Sequence, residues 1–97
     1  MFVRIVSFEW KADNPDDIVK IYKESVIPEV KLQKGFKSVY LLLNRDTGKG
    51  ATVAFWDTKE DMLATEESGL MKKQIDRFKD YFTATAVREI YEVSAQS

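Results

Sequence analysis

Residues 36–57, FKSVYLLLNRDTGKGATVAFWD, contain two apolar runs, Val39–Leu43 and Ala51–Trp56, rich in β-branched and aromatic side chains. Both are too short for independent helices, so they read as paired strands. Asn44–Gly50 between them is polar and holds Gly48 and Gly50, which can take positive φ and close a hairpin with a bulge. Successive strand residues face opposite ways. On that alternation Val39, Leu41, Leu43, Val53 and Phe55 are expected on one side, and Phe36, Tyr40, Leu42, Ala54 and Trp56 on the other. Both sides are therefore apolar, whereas an antiparallel sheet with one wet face shows a polar residue at every second position. Helices elsewhere in the chain can cover one side. The second calls for a partner, because an exposed apolar patch above ~400 Å² is unusual on a soluble monomer. Burying such a patch is worth roughly 10 kcal/mol before association costs. The expectation is a homodimer through the open sheet face.

The 97 residues suit one domain, 1–97, with a single core. With 15 basic and 16 acidic residues interspersed, the net charge of −1 gives no footprint for nucleic acid or an anionic membrane. Cysteine and histidine are both absent. That removes disulfides, thiolate nucleophiles and Ser-His-Asp or Cys-His catalysis, and leaves only carboxylates for a metal, with no clustered acidic motif. No metal site is expected. No apolar run approaches 18 residues, and the start lacks a basic region followed by an apolar stretch, so no membrane partner and a cytoplasmic location are expected.

In chain order, Met1–Trp10 alternates as a first strand, with Val3, Ile5, Ser7 and Glu9 on one face and Phe2, Arg4, Val6, Phe8 and Trp10 on the other. Asn14-Pro15-Asp16-Asp17 signals a helix start, with Asn14 as cap and Pro15 at the first helical position. Ile18, Ile21, Tyr22, Ser25 and Val26 follow at helical spacing. Pro28 predicts a kink or break before the helix resumes through Leu32, and Gly35 closes it. After the hairpin, Asp57 or Thr58 caps a short helix whose Met62 and Leu63 face inward. A second helix starts at Ser68 with Leu70, Met71, Ile75, Phe78 and Phe82 on one stripe. Thr83–Val93 alternates as the last strand. The order is α+β: a ferredoxin-like βαββαβ unit with a four-stranded antiparallel sheet and helices on one face. An RNA-recognition module would need basic charge and a basic-Gly-aromatic run where Gly50–Phe55 stands, and an acylphosphatase-like cradle would need a glycine-rich loop after the first strand. Neither is present.

Three stretches carry a family resemblance: Ile27-Pro28-Glu29-Val30 leading to Lys34-Gly35-Phe36, the hairpin through Asp46-Thr47-Gly48, and Thr52-Val53-Ala54-Phe55-Trp56-Asp57-Thr58-Lys59-Glu60-Asp61. With these the chain resembles the antibiotic biosynthesis monooxygenase (ABM) superfamily of dimeric α/β-barrel proteins over nearly its whole length. The resemblance implies a homodimer whose sheets pack face to face, with a pocket between sheet and helices in each subunit. It also implies a cofactor-independent monooxygenase in which a deprotonated aromatic or polyketide-like substrate gives an electron to dioxygen. Three positions would then be catalytic: Trp56 as the aromatic wall, Thr52 where quinone-forming members carry an asparagine, and Arg77 as the echo of an arginine in the second helical region. Met62 stands where such members carry a tyrosine. Tyr22, Tyr40, Met62 and Phe78 would line the ligand pocket, taking a small hydrophobic or aromatic molecule.

Each residue also has a purely architectural reading. Trp56 at a strand end serves core and helix entry, Met62, Leu70 and Met71 serve packing, and Arg4 and Arg88 serve a structural ion pair. The corresponding alternative for the whole chain is a non-catalytic dimer of the same fold that binds a small hydrophobic ligand or serves a stress role.

Overall fold

A computed structural model describes residues 1–10 and 15–97. The expected Asn14 cap lies outside the described residues. The strands are β1 (Phe2–Glu9), β2 (Phe36–Asn44), β3 (Lys49–Trp56) and β4 (Val87–Glu92), ordered β2-β3-β1-β4 with every pairing antiparallel. The helical segments are α1 (Pro15–Ile21), which runs through a π segment (Tyr22–Val26) into α2 (Ile27–Val30), then α3 (Lys59–Glu67) and α4 (Leu70–Asp76). This is the four-stranded ferredoxin-like sheet expected from the order of elements. Its fourth strand is shorter than Thr83–Val93: Phe82 makes an isolated bridge to Trp10, and regular pairing begins at Val87.

The hairpin forms where expected, but its faces combine differently. Asn44 pairs with Lys49, and the ladder runs back through Leu41↔Thr52 and Val39↔Ala54. From Ser38↔Phe55 to Asn44↔Lys49 every pair joins an odd-numbered residue to an even-numbered one, and directly opposed residues share a face. Val39, Leu41 and Leu43 therefore lie with Thr52, Ala54 and Trp56 under the helices, while Tyr40 and Leu42 lie with Val53 and Phe55 on the far side. The expected grouping of Val53 and Phe55 with Val39, Leu41 and Leu43 is corrected by this register. A register shift between Phe36 and Ser38 reverses the phase once more, so Phe36 meets Trp56 edge-on at 5.7 Å within the core. In the loop, Asn44 Oδ1 accepts from the Asp46 and Thr47 amides at 3.0 and 3.2 Å, and Gly48 takes φ +74°.

Under the sheet, Ile18, Tyr22, Val26 and Val30 are all buried, at intervals of four. In a plain α-helix a four-residue step overshoots a turn by about 40°, so the stripe would drift by roughly 120° from the first to the last. The π segment, closed by the Ile27 amide donating to the Tyr22 carbonyl, widens the helix and holds the stripe on the sheet. It also answers the expected break at Pro28. That residue sits in the first positions of α2, directly after the widened turn, and the helix continues past it to Val30 instead of ending.

Two core clusters result. One gathers Phe8, Trp10, Ile18, Tyr22, Val26 and Phe78; the other gathers Val30, Ala54, Trp56 and Met62. α3 is capped by Thr58, whose hydroxyl accepts from the Asp61 amide at 3.1 Å. α4 follows Gly69 at φ +84° and gives way to tight turns after Asp76, so Phe82 stacks on Phe8, and Phe78 on Phe82, from a turn and not from a continuous helix.

Gly35 joins α2 to β2 at φ +77°, and a Cβ there would stand 2.2 Å from Asp61 Oδ2. Gly35→Ala is expected to destabilise the protein by about 1–2 kcal/mol or more, since the left-handed conformation and the clash act together. Urea unfolding of the variant beside wild type checks this as a lowered midpoint at unchanged slope.

Candidate functional site

A cavity of about 60 Å³ lies between the helices and the sheet. β1 supplies Arg4, Val6 and Phe8; the first helix supplies Ile18, Tyr22, Val26 and Val30; β2 and β3 supply Val39, Leu41, Thr52 and Ala54. Met71, Gln74, Ile75, Phe78 and Phe82 close it from the α4 side. The wall is apolar and aromatic except for Arg4, Tyr22, Thr52 and Gln74. None of the described lining residues is a carboxylate.

Arg4 is inward-facing on β1 because it alternates with Phe2, Val6 and Phe8, and it is 5% exposed. Its Nη1 donates to Thr65 Oγ1 at 2.9 Å, Glu66 Oε2 at 3.2 Å and the Met62 carbonyl at 3.4 Å. Arg88 Nε meets the other Glu66 oxygen at 2.7 Å. Glu66 thus ties β1 and β4 to α3. Desolvation lowers the Arg4 pKa from its usual value, with the Glu66 hydrogen bond and charge opposing. On its other side the guanidinium lies 5.7 Å from the centre of the Trp56 ring.

Tyr22 is buried in the first helix and its hydroxyl is held well above the ordinary phenol range, chiefly by burial. Hydrogen bonding with Thr52 and the charge of Arg4 pull the other way. Its hydroxyl therefore stays protonated at neutral pH and can donate. Gln74 Nε2 is buried without a hydrogen-bond partner among the described residues, a condition that costs about 1–3 kcal/mol.

Of the residues singled out from sequence, Tyr22, Thr52 and Phe78 meet in this cavity. Trp56 and Met62, each 0% exposed, do not line it; they pack together in the neighbouring cluster, with Arg4 touching both. The aromatic wall is made instead by Phe8, Phe78 and Phe82. Tyr40 does not line this cavity either: the register turns it to the far face, where it is 55% exposed and meets Phe55 edge-on at 6.3 Å. Arg77 also lies off the cavity. It pairs with Glu29 Oε1, while Lys73 Nζ reaches Glu29 Oε2 at 3.2 Å, so the two bridges join α2 to α4 and its following turn. Sequence reasoning missed Gln74, although its sign was present: a glutamine at 74 interrupts the apolar spacing of Leu70, Met71, Ile75 and Phe78. Arg4, read as an ion-pair residue, is that and a cavity residue as well.

No family model matches the chain, and no curated protein sequence matches it. Solved structures do. A proposed antibiotic biosynthesis monooxygenase from Nitrosomonas europaea superposes with TM-score 0.78 at 18% identity, covering 98% of this chain and 100% of that one. SnoaB, a cofactor-independent oxygenase from Streptomyces nogalater, gives 0.80 at 12% identity, with 98% and 94% covered. The monooxygenase ActVA-Orf6 of Streptomyces coelicolor, solved with nanaomycin D, gives 0.76 at 14%, with 99% and 89% covered. The chain has the fold of the antibiotic biosynthesis monooxygenase structures.

The Glu29 carboxyl is held below the usual carboxylate range chiefly by its hydrogen bond to Arg77, which outweighs an opposing desolvation, with Lys73 adding to the lowering. A depressed folded-state pKa adds stability that is present above the unfolded value and lost as pH falls through the folded one. Glu29→Gln is therefore expected to lower the urea midpoint at pH 6, with the gap from wild type closing as pH falls below about 4. Paired unfolding curves at pH 6 and pH 3 test it.

Proposed function

We propose that this chain is a cofactor-independent monooxygenase of the ABM type, acting on an aromatic or polyketide-like small molecule held between helices and sheet. The observation that carries this reading is the cavity itself: an aromatic, apolar wall into which Arg4, Tyr22 and Thr52 converge, in a fold shared with a cofactor-independent oxygenase. With no carboxylate on the described wall and no histidine in the chain, the site offers no general base at neutral pH. A substrate that ionises readily supplies its own carbanion or phenolate. The Arg4 charge and the hydroxyls of Tyr22 and Thr52 stabilise that anion and its oxygen, and the apolar wall excludes water from the radical pair formed with dioxygen. For an activated methylene the sum is CH₂ + O₂ → C=O + H₂O. One oxygen atom enters the substrate and the other leaves as water.

At about 60 Å³ the cavity suits occupants near the size of water, so a substrate enters only as a wall yields. α4 is the wall suited to this, because it contains no buried residue and is held to the first helix by the Glu29 bridges. Oxygen uptake with a panel of anthrones and hydroquinones is expected to exceed the blank on at least one compound. Tyr22→Phe and Thr52→Ala should each lower kcat/KM about tenfold or more. No uptake on any compound would overturn the enzymatic reading.

The same reading includes a homodimer through the open sheet face. Support comes from Tyr40, Leu42, Val87 and Tyr91, large apolar residues 48–57% exposed on the side without helices, beside Val53 and Phe55. Sedimentation of wild type should give twice the chain mass, and Leu42→Lys should shift the species to one chain mass with the helical signal retained. A wild-type monomer at micromolar concentration would remove the dimer.

A further inference from the structure

The cavity wall has a mismatch in its hydrogen-bonding groups. Arg4 Nη1 is matched by Glu66, Thr65 and the Met62 carbonyl, and the Tyr22 and Thr52 hydroxyls share the same wall. Gln74 Nε2 has no partner among the described residues. It is carried by α4, opposite the sheet, on the wall that also holds Met71, Ile75 and Phe78. A carboxamide nitrogen is a donor only, so what it lacks is an acceptor oxygen. No described lining side chain is a carboxylate that could supply one, and the residues that line the cavity beside it, Met71, Ile75 and Phe78, are apolar.

We propose that Gln74 is a specificity-determining residue whose amide nitrogen donates to a carbonyl oxygen of the bound molecule, so that the cavity selects an aryl ketone over the aryl hydrocarbon of equal size. This rests on the cavity being a ligand site, as argued above. A site with an unmet donor rejects a ligand lacking the acceptor, because binding then seals the donor away from water without a partner. A purely apolar pocket does the reverse and prefers the hydrocarbon.

Acetophenone and ethylbenzene, nearly equal in size and differing in the carbonyl, are suitable probes. Titrations of the ¹⁵N-labelled protein by NMR give both dissociation constants and report directly on the Gln74 side-chain amide. Wild type is expected to bind the ketone about tenfold more tightly, with the Gln74 amide protons moving downfield for the ketone alone. Gln74→Met and Gln74→Leu should bring the ratio to about one or below it. Both variants should unfold at temperatures no lower than wild type, since each removes an unpaired buried donor. A ketone preference that survives in both variants would overturn the role of Gln74 and leave the cavity as a ligand site. Failure of wild type to bind either probe would overturn this inference and the ligand reading together.

Discussion

A guanidinium placed among apolar side chains is the constraint on which the helical layer settles. Arg4 enters the core because strand alternation leaves it no other direction, and an uncompensated charge there would cost several kcal/mol. Compensation comes from the last turns of α3: the Thr65 hydroxyl, the Glu66 carboxylate and the Met62 carbonyl. α3 must therefore sit over β1 at one height and rotation, and Met62 is driven onto Trp56 by the same placement. The ion pair is better regarded as a locator than as a source of stability. Removing either partner would strand the other, whereas the pair itself roughly breaks even against apolar substitutes.

Much of this was legible in the sequence, and the failures have physical causes. Alternation identified β1 and the hairpin, and Pro15 with its aspartates marked where the first helix begins. Which faces of β2 and β3 coincide depends on whether paired residue numbers sum to odd or even. That is set by one residue in the four-residue loop of positions 45–48, and composition cannot count it. Tyr40 stands away from the cavity for this reason. Pro28 signalled trouble in the helix correctly, but not how it is resolved, because a π segment has no composition of its own. Arg77 looked like a site residue from its position in the chain. Its side chain is claimed by Glu29, forty-eight residues away in sequence, and pairings at that separation are visible only in three dimensions.

The chemistry open to the site follows from what surrounds it. Desolvation keeps Tyr22 in its neutral form while the nearby Arg4 keeps the region electropositive, so donors and a cation face a space without a base. Such a space stabilises an anion that arrives or forms by itself far better than it generates one. The two sides of the sheet divide the labour. The covered side carries Arg4, Tyr22 and Thr52, and the open side carries the apolar Tyr40, Leu42, Val53 and Phe55.

The widened turn at Tyr22–Val26 bears on how this chain can change over time. A π segment amounts to one surplus residue lodged in an α-helix, so the stretch from Ile18 to Val30 turns almost as if it were one residue shorter and ends within roughly 20° of three full turns. Removing one residue between Tyr22 and Val26 would therefore leave a plain α-helix with its inner stripe still on the sheet. Adding one would turn Ile18 off the sheet by about 100° while Val26 and Val30 stayed in place. The segment can thus lose its surplus residue more readily than it can gain another.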